Sequence, residues 1–181
     1  MEKIRSFISF DIPMMPAVED ARVRLRGIPG VSVPKEVHLT LRFLGDVEAK
    51  KIEELSSGMR SLERYRSFSV SLKGLGAFPN NKDPRVIWIG AEPGAPFYDI
   101  LSDLDGILSG SSVDYDKKPF KAHVTVGRVK RPSAGLTALL NECRDMEAGS
   151  FECRQIFLMS SLLTSGGAEH SVIDTFRLAD G

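Results

Sequence analysis

Two copies of one tetrapeptide pattern, His38-Leu39-Thr40-Leu41 and His123-Val124-Thr125-Val126, constrain this chain more than anything else in it. Each lies in a run of alternating character that reads as a half-buried strand, with imidazole and hydroxyl on one face and aliphatic residues on the other. The copies stand 85 positions apart, too far for a solenoid period, so they predict two similar α+β lobes, each presenting one motif strand to a shared cleft. A length of 181 residues suits a single domain over 1–181, made of two interleaved lobes with one motif in each half.

Local patterns extend this expectation. Strands are predicted over 4–12, 37–44, 68–75, 85–91, 120–129, 151–163 and 171–178, and helices over 17–26, 48–62, 97–108 and 134–144. Gly45 is expected to stop the first motif strand, and Asp46 to cap the helix after it. The Gly, Pro and Asn of GAFPNNKDP let 68–75 and 85–91 pair antiparallel. The expected architecture is α+β: two pseudo-symmetric lobes of mostly antiparallel sheet, helices outside, and a central cleft.

Two imidazoles and two hydroxyls in one cleft match what opening a strained cyclic phosphodiester requires without a metal. One imidazole takes a proton while the other gives one, and an unperturbed pKa of about 6.5 suits histidine to both tasks. Thr40 and Thr125 are expected to donate to the non-bridging phosphate oxygens and hold phosphorus between His38 and His123. Arginine supplies a fork that matches phosphate, and Arg42 and Arg128 follow the two motifs as candidate substrate contacts. Strict alternation places Arg42 on the His38 face, whereas Arg128 needs a strand end or bulge near Gly127 to reach the His123 face.

The remaining singular residues read as structural. His170, the third histidine, stands beside Glu169 after a glycine turn and is expected to be a solvated loop residue. Phe43, Leu44 and Trp88 are expected in the core. Cys143 and Cys153 lack a CxxC spacing and clustered ligands, so they are expected to be ordinary thiols, with no metal and no cofactor in the protein. A net charge of +0 provides no global field for a long nucleic acid, so any RNA contact must be local. The opening MEKIRSFISFDIP carries no signal-peptide core, and no apolar run approaches the roughly 20 residues that span a bilayer, so a cytoplasmic, membrane-free protein is expected.

With the paired motifs in view, the chain resembles the two-histidine phosphoesterase superfamily, and within it the RNA 2′,3′-cyclic phosphodiesterase family, also called 2′-5′ RNA ligase. The resemblance runs nearly end to end: Arg5-x-Phe7-Ile8, the block His38 to Gly45, Gly76-Ala-Phe78-Pro79, Arg85 to Gly90, His123 to Arg128, and Leu158 to Gly167 with Ser161. It implies a bilobal fold and conversion of an RNA 2′,3′-cyclic phosphate to a 2′-phosphate, with His38 donating to the leaving 3′ oxygen and His123 activating water. It also implies reversible 2′-5′ ligation, in which a 5′ hydroxyl replaces water. The partner implied is RNA bearing a cyclic phosphate end, tRNA halves among them; neutral net charge and the absence of an obvious oligomerisation stripe in turn point to a monomer. Two departures stand out: Lys121-Ala122 precede the second motif where family members often carry a proline, and His170 stands where a tyrosine is usual.

Two other classes fit the motifs. One is a phosphodiesterase for small cyclic nucleotides; the other is an RNA-end binding module without turnover, which needs cations and hydroxyls but not both histidines.

Overall fold

A computed structural model describes residues 2–181. The strands are β1 (Lys3–Asp11), β2 (Val31–Ser32), β3 (His38–Glu48), β4 (Phe68–Phe78), β5 (Val86–Pro93), β6 (His123–Val129), β7 (Glu147–Cys153), β8 (Gln155–Thr164) and β9 (Gly167–Arg177). The helices are α1 (Pro16–Arg26), α2 (Ala49–Met59), α3 (Phe97–Gly110) and α4 (Ala134–Glu142). Pro16 opens α1, where its missing N–H costs nothing, and Ile52, Leu55 and Met59 form the buried stripe of α2. No helix among the described residues is long and apolar enough to cross a membrane.

All nine strands join one sheet in the order β7-β4-β5-β6-β3-β1-β8-β9, with β2 added beside β6. Every neighbouring pair is antiparallel. Four strands lie on each side of the β3/β6 junction, so the motif strands are innermost in their respective halves. The middle of the chain builds the half containing β4 to β7, and its two ends build the half containing β1, β3, β8 and β9. The architecture is thus α+β, with helices covering the apolar face.

One predicted strand, 151–163, is two. Phe151 pairs opposite Val70 of β4, whereas Ile156 pairs opposite Phe10 of β1, in the other half of the sheet. Arg154 alone links β7 to β8, and one residue spans only about 3.3–3.6 Å. The sheet must therefore curl, bringing together strands that are far apart in its hydrogen-bonding order. On the apolar face this curl closes over Phe10, Phe68 and Phe97, whose rings meet at centroid distances of 5.4, 5.9 and 6.3 Å.

Two turn expectations also change. Gly45 does not stop β3; it takes φ 65° within the strand, beside an irregularity against β1, and pairing continues to Glu48. Asp46 consequently remains in β3, and Glu48 occupies the position before α2 without a side-chain cap.

Candidate active site

Leu39 of β3 pairs with Val124 of β6, and it is the sole pair joining the two strands among the described residues. Antiparallel geometry then sets His38 toward Thr125 and Thr40 toward His123, on the face opposite the buried Leu39 and Val124. Because the strands part beyond this pair, a groove opens instead of a flat sheet. Its volume is about 610 Å³, within the usual range of ligand sites, and both histidines and both threonines line it.

Each motif is followed by a bulge that re-aims the residues after it. Opposite β1, Leu41 is the extra residue of β3, since Ser9 faces Thr40 and Ile8 faces Arg42. Opposite β5, Val126 is the extra residue of β6, since Trp88 faces Thr125 and Ile87 faces Gly127. Each bulge inverts the alternation, so the sixth residue counted from the motif histidine returns to the groove and the fifth does not. The sixth residues are Phe43 and Arg128, and both line the groove.

Arg42 is the fifth, and its expected place on the His38 face is overturned. It is 9% exposed, and its Nε and Nη2 donate to Asp105 of α3 at 2.8 and 2.9 Å, with Tyr115 and Phe120 packed against the guanidinium. Phe43 is corrected in the opposite sense: expected in the core, it is 58% exposed. Leu44 is buried as expected.

His170 is not a solvated loop residue. It lies in β9 opposite Ser161, half-buried, with its ring 5.3 Å from that of His38 and 4.9 Å from that of Phe7. Phe7 in turn packs on His38 at 5.4 Å, and across the groove Phe78 packs edge-on against His123 at 4.9 Å. Each motif imidazole is thus steadied by a phenyl ring, Phe7 from β1 beside β3 and Phe78 from β4, which is separated from β6 by β5. Arg5 and Ser161 also line the groove. Alternation in β1 puts Arg5 on the face of Phe7, but only pairing shows that this face borders the site.

Trp88 is half-buried rather than in the core, and its ring folds over Gly76, the residue paired with it in β4. A Cβ at Gly76 would lie 2.4 Å from the indole, closer than real contacts allow. Gly76→Ala is therefore expected to cost about 1–3 kcal/mol as the indole is pushed aside. Since Trp88 is the only tryptophan, urea unfolding followed by fluorescence should report both a lower midpoint and an altered native emission spectrum.

Electrostatics distinguish the two motif histidines. Burial pushes both below the ordinary imidazole range. For His38 the neighbouring His170 adds to that effect, while Asp11, 3.8 Å from Nδ1, and Glu36, 3.6 Å from Nε2, oppose it. Those distances make charge contacts rather than hydrogen bonds, and neither ring nitrogen has a partner. His123 instead donates from Nδ1 to the Lys121 carbonyl at 2.6 Å, which partly offsets burial, while the Lys121 ammonium reinforces it. Among the described residues no three His, Cys, Asp or Glu side chains converge as metal ligands would. Burial, with Glu152 nearby, pushes the Cys153 thiol up to about 12, so it is inert at neutral pH.

This fold and pair of motifs have relatives. Residues 16–88 match the family described as LigT like Phosphoesterase. The RNA 2′,3′-cyclic phosphodiesterase of Aeropyrum pernix is 38% identical over 157 residues, covering 84% of this chain and 89% of the relative. That of Methanothermobacter thermautotrophicus is 30% identical over 190 residues, covering 97% and 100%. The crystal structure of TT0787 from Thermus thermophilus superposes with a TM-score of 0.82 at 26% identity, covering 96% of this chain and 97% of that one. Identity at this level over nearly the full length, on a shared architecture, places the chain in the LigT-like RNA 2′,3′-cyclic phosphodiesterase family.

Proposed function

We propose that the protein hydrolyses the 2′,3′-cyclic phosphodiester of an RNA end to a 2′-phosphomonoester, with His38 as general acid and His123 as general base. The observation that carries this reading is the unequal environment of two imidazoles lining one groove. A backbone carbonyl can only accept, so the Lys121 carbonyl keeps the proton of neutral His123 on Nδ1 and leaves a lone pair on Nε2. The carboxylates of Asp11 and Glu36 favour the charged form of His38. Burial lowers the pKa of both rings, so what separates them is that the fixed tautomer of His123 leaves Nε2 free to accept, whereas His38 has carboxylates beside it that partly offset its burial and support a proton there.

In the step itself, Nε2 of His123 removes a proton from water as the water oxygen bonds to phosphorus. The bond from phosphorus to the 3′ oxygen breaks, and His38 delivers its proton there, leaving a 3′ hydroxyl and a 2′-phosphate. Thr40 and Thr125 donate to the non-bridging oxygens, and Arg128 balances their charge. Two proton transfers and a fixed cation suffice, so neither metal nor cofactor enters the scheme. A 5′ hydroxyl in place of water gives a 2′-5′ linkage by the same two proton transfers, so ligation is the transesterification counterpart of this hydrolysis.

The natural substrates in this reading are RNA ends such as those of tRNA halves. A monomer suffices because one chain carries both histidines. The unpaired thiols Cys143 and Cys153 suit the reducing cytoplasm.

The test is turnover of a short RNA ending in a 2′,3′-cyclic phosphate, in chelator, with the product's phosphate position determined. A 2′-phosphate is expected, whereas a 3′-phosphate would mean that the leaving oxygen is misassigned, and binding without turnover would favour an RNA-end binding module. The pH profile of kcat/KM should be a bell whose apparent pKa values belong to the coupled pair. The base must be neutral, so lowering His123 extends activity toward acid; the acid must be charged, so lowering His38 draws in the alkaline limb. Both displacements put the optimum below the ordinary imidazole value of 6.5. A rate constant across pH 5 to 8 would contradict acid-base catalysis.

A further inference from the structure

A second cavity, of about 420 Å³, adjoins the catalytic groove and shares Glu36, His38 and His170 with it. We propose that this cavity receives the base of the nucleoside carrying the cyclic phosphate, and that it selects bases with an exocyclic amino group over uracil. The inference rests on the phosphodiesterase reading above.

The two cavities divide the chemistry of a nucleotide between them. Arg5, Arg128, Thr40 and Thr125 give the first one cations and hydroxyls suited to a phosphate. The second is lined by carboxylates and apolar side chains, and its one arginine is already committed. Arg22 donates to Glu19 at 2.7 Å and to the carbonyls of Pro34 and Lys35 at 2.6 and 2.9 Å. The carboxylates of Asp11 and Glu36, 3.8 and 3.6 Å from the His38 ring, accept no hydrogen bond among the described residues, so their oxygens stay open to N–H donors and repel a phosphate. Adenine, cytosine and guanine each offer an exocyclic amino group, whereas the N3–H of uracil lies between the O2 and O4 carbonyl oxygens, which a carboxylate repels.

Placement follows from the acid. If His38 protonates the 3′ oxygen, the ribose bearing that oxygen lies against His38, and the base attached to it continues into the cavity that His38 also borders. The rim there offers apolar surface for a base plane. Met14 is 93% exposed and Val172 is 54% exposed, far from the burial such side chains ordinarily find. Nδ1 of His170, on the boundary between the cavities, is buried with no hydrogen-bond partner.

The experiment compares kcat/KM for the four 2′,3′-cyclic mononucleotides and for a methyl riboside 2′,3′-cyclic phosphate, which lacks a base. The amino-bearing nucleotides should exceed the uridine compound by about tenfold, the factor for one hydrogen bond to a charged group. In the Asp11→Ala/Glu36→Ala double variant this ratio should fall to about one. Taking the ratio cancels any change in His38 acidity, which is common to every substrate. Val172→Trp, which fills the cavity from its rim, should cost the nucleotides about tenfold more than it costs the riboside. Equal rates for all four bases, or an equal loss for nucleotides and riboside in Val172→Trp, would overturn the subsite. No turnover of any substrate would remove the hydrolysis reading and the subsite with it, whereas turnover without discrimination removes the subsite alone.

Discussion

His38→Ala and His123→Ala should each lower kcat for an RNA 2′,3′-cyclic phosphate by about 10²- to 10⁴-fold, the usual worth of one positioned acid or base. The double variant should lose little beyond the worse single, because proton removal and proton delivery belong to one transition state. Sulfur tests which ring does what. A 3′-thio analogue leaves as a stable thiolate and needs no proton, so it should restore most of the rate to His38→Ala and little to His123→Ala. Restoration of His123→Ala instead would exchange the two roles. The pH profiles give a second reading: His123→Ala should lose the acid limb and His38→Ala the alkaline one. Urea midpoints separate chemistry from folding, since His38 packs on Phe7 and His170 and its removal could loosen that cluster.

How much of this site is legible in the sequence depends on how far each residue stands from its motif. Alternation within His-x-Thr-x places imidazole and hydroxyl on one face, and the groove contains all four. One residue later the rule fails, because Leu41 and Val126 are bulged and the faces exchange. A bulge is a property of a strand pair, decided by what lies opposite, and neither motif shows its partner. The same ignorance hides His170, which looks isolated until β8 and β9 pair and set it against His38. It also hides the division at Arg154, because a run of alternating residues looks the same whether it stays with one partner or passes to another. Elements whose evidence is internal, such as the stripe of α2, stand close to where periodicity puts them, apart from a last turn that tightens into a 3-10 helix over Arg60–Arg64.

The bulges make a sharp prediction about the two arginines, because they send one to each face of the sheet. Arg42→Ala should destabilise the protein by about 2–3 kcal/mol and leave kcat/KM unchanged. Removing one partner of a buried ion pair typically costs about 3–5 kcal/mol by stranding the other charge. Asp105 is 31% exposed, so water recovers part of that cost, while contact with Tyr115 and Phe120 is lost as well. In a chain of this size the change corresponds to a melting temperature lower by about 5–10 °C. Arg128→Ala should behave in the opposite way. Its side chain is exposed and makes no ion pair among the described residues, so the midpoint should move by less than about 0.5 kcal/mol. Losing a charged phosphate contact should nevertheless cost kcat/KM about 10- to 100-fold. Strict alternation would make Arg42 the catalytic loss and Arg128 the bystander. Thermal melts and initial rates on the two single variants therefore decide whether each motif strand changes face after its fourth residue. A fully stable but inactive Arg42→Ala would show that it does not.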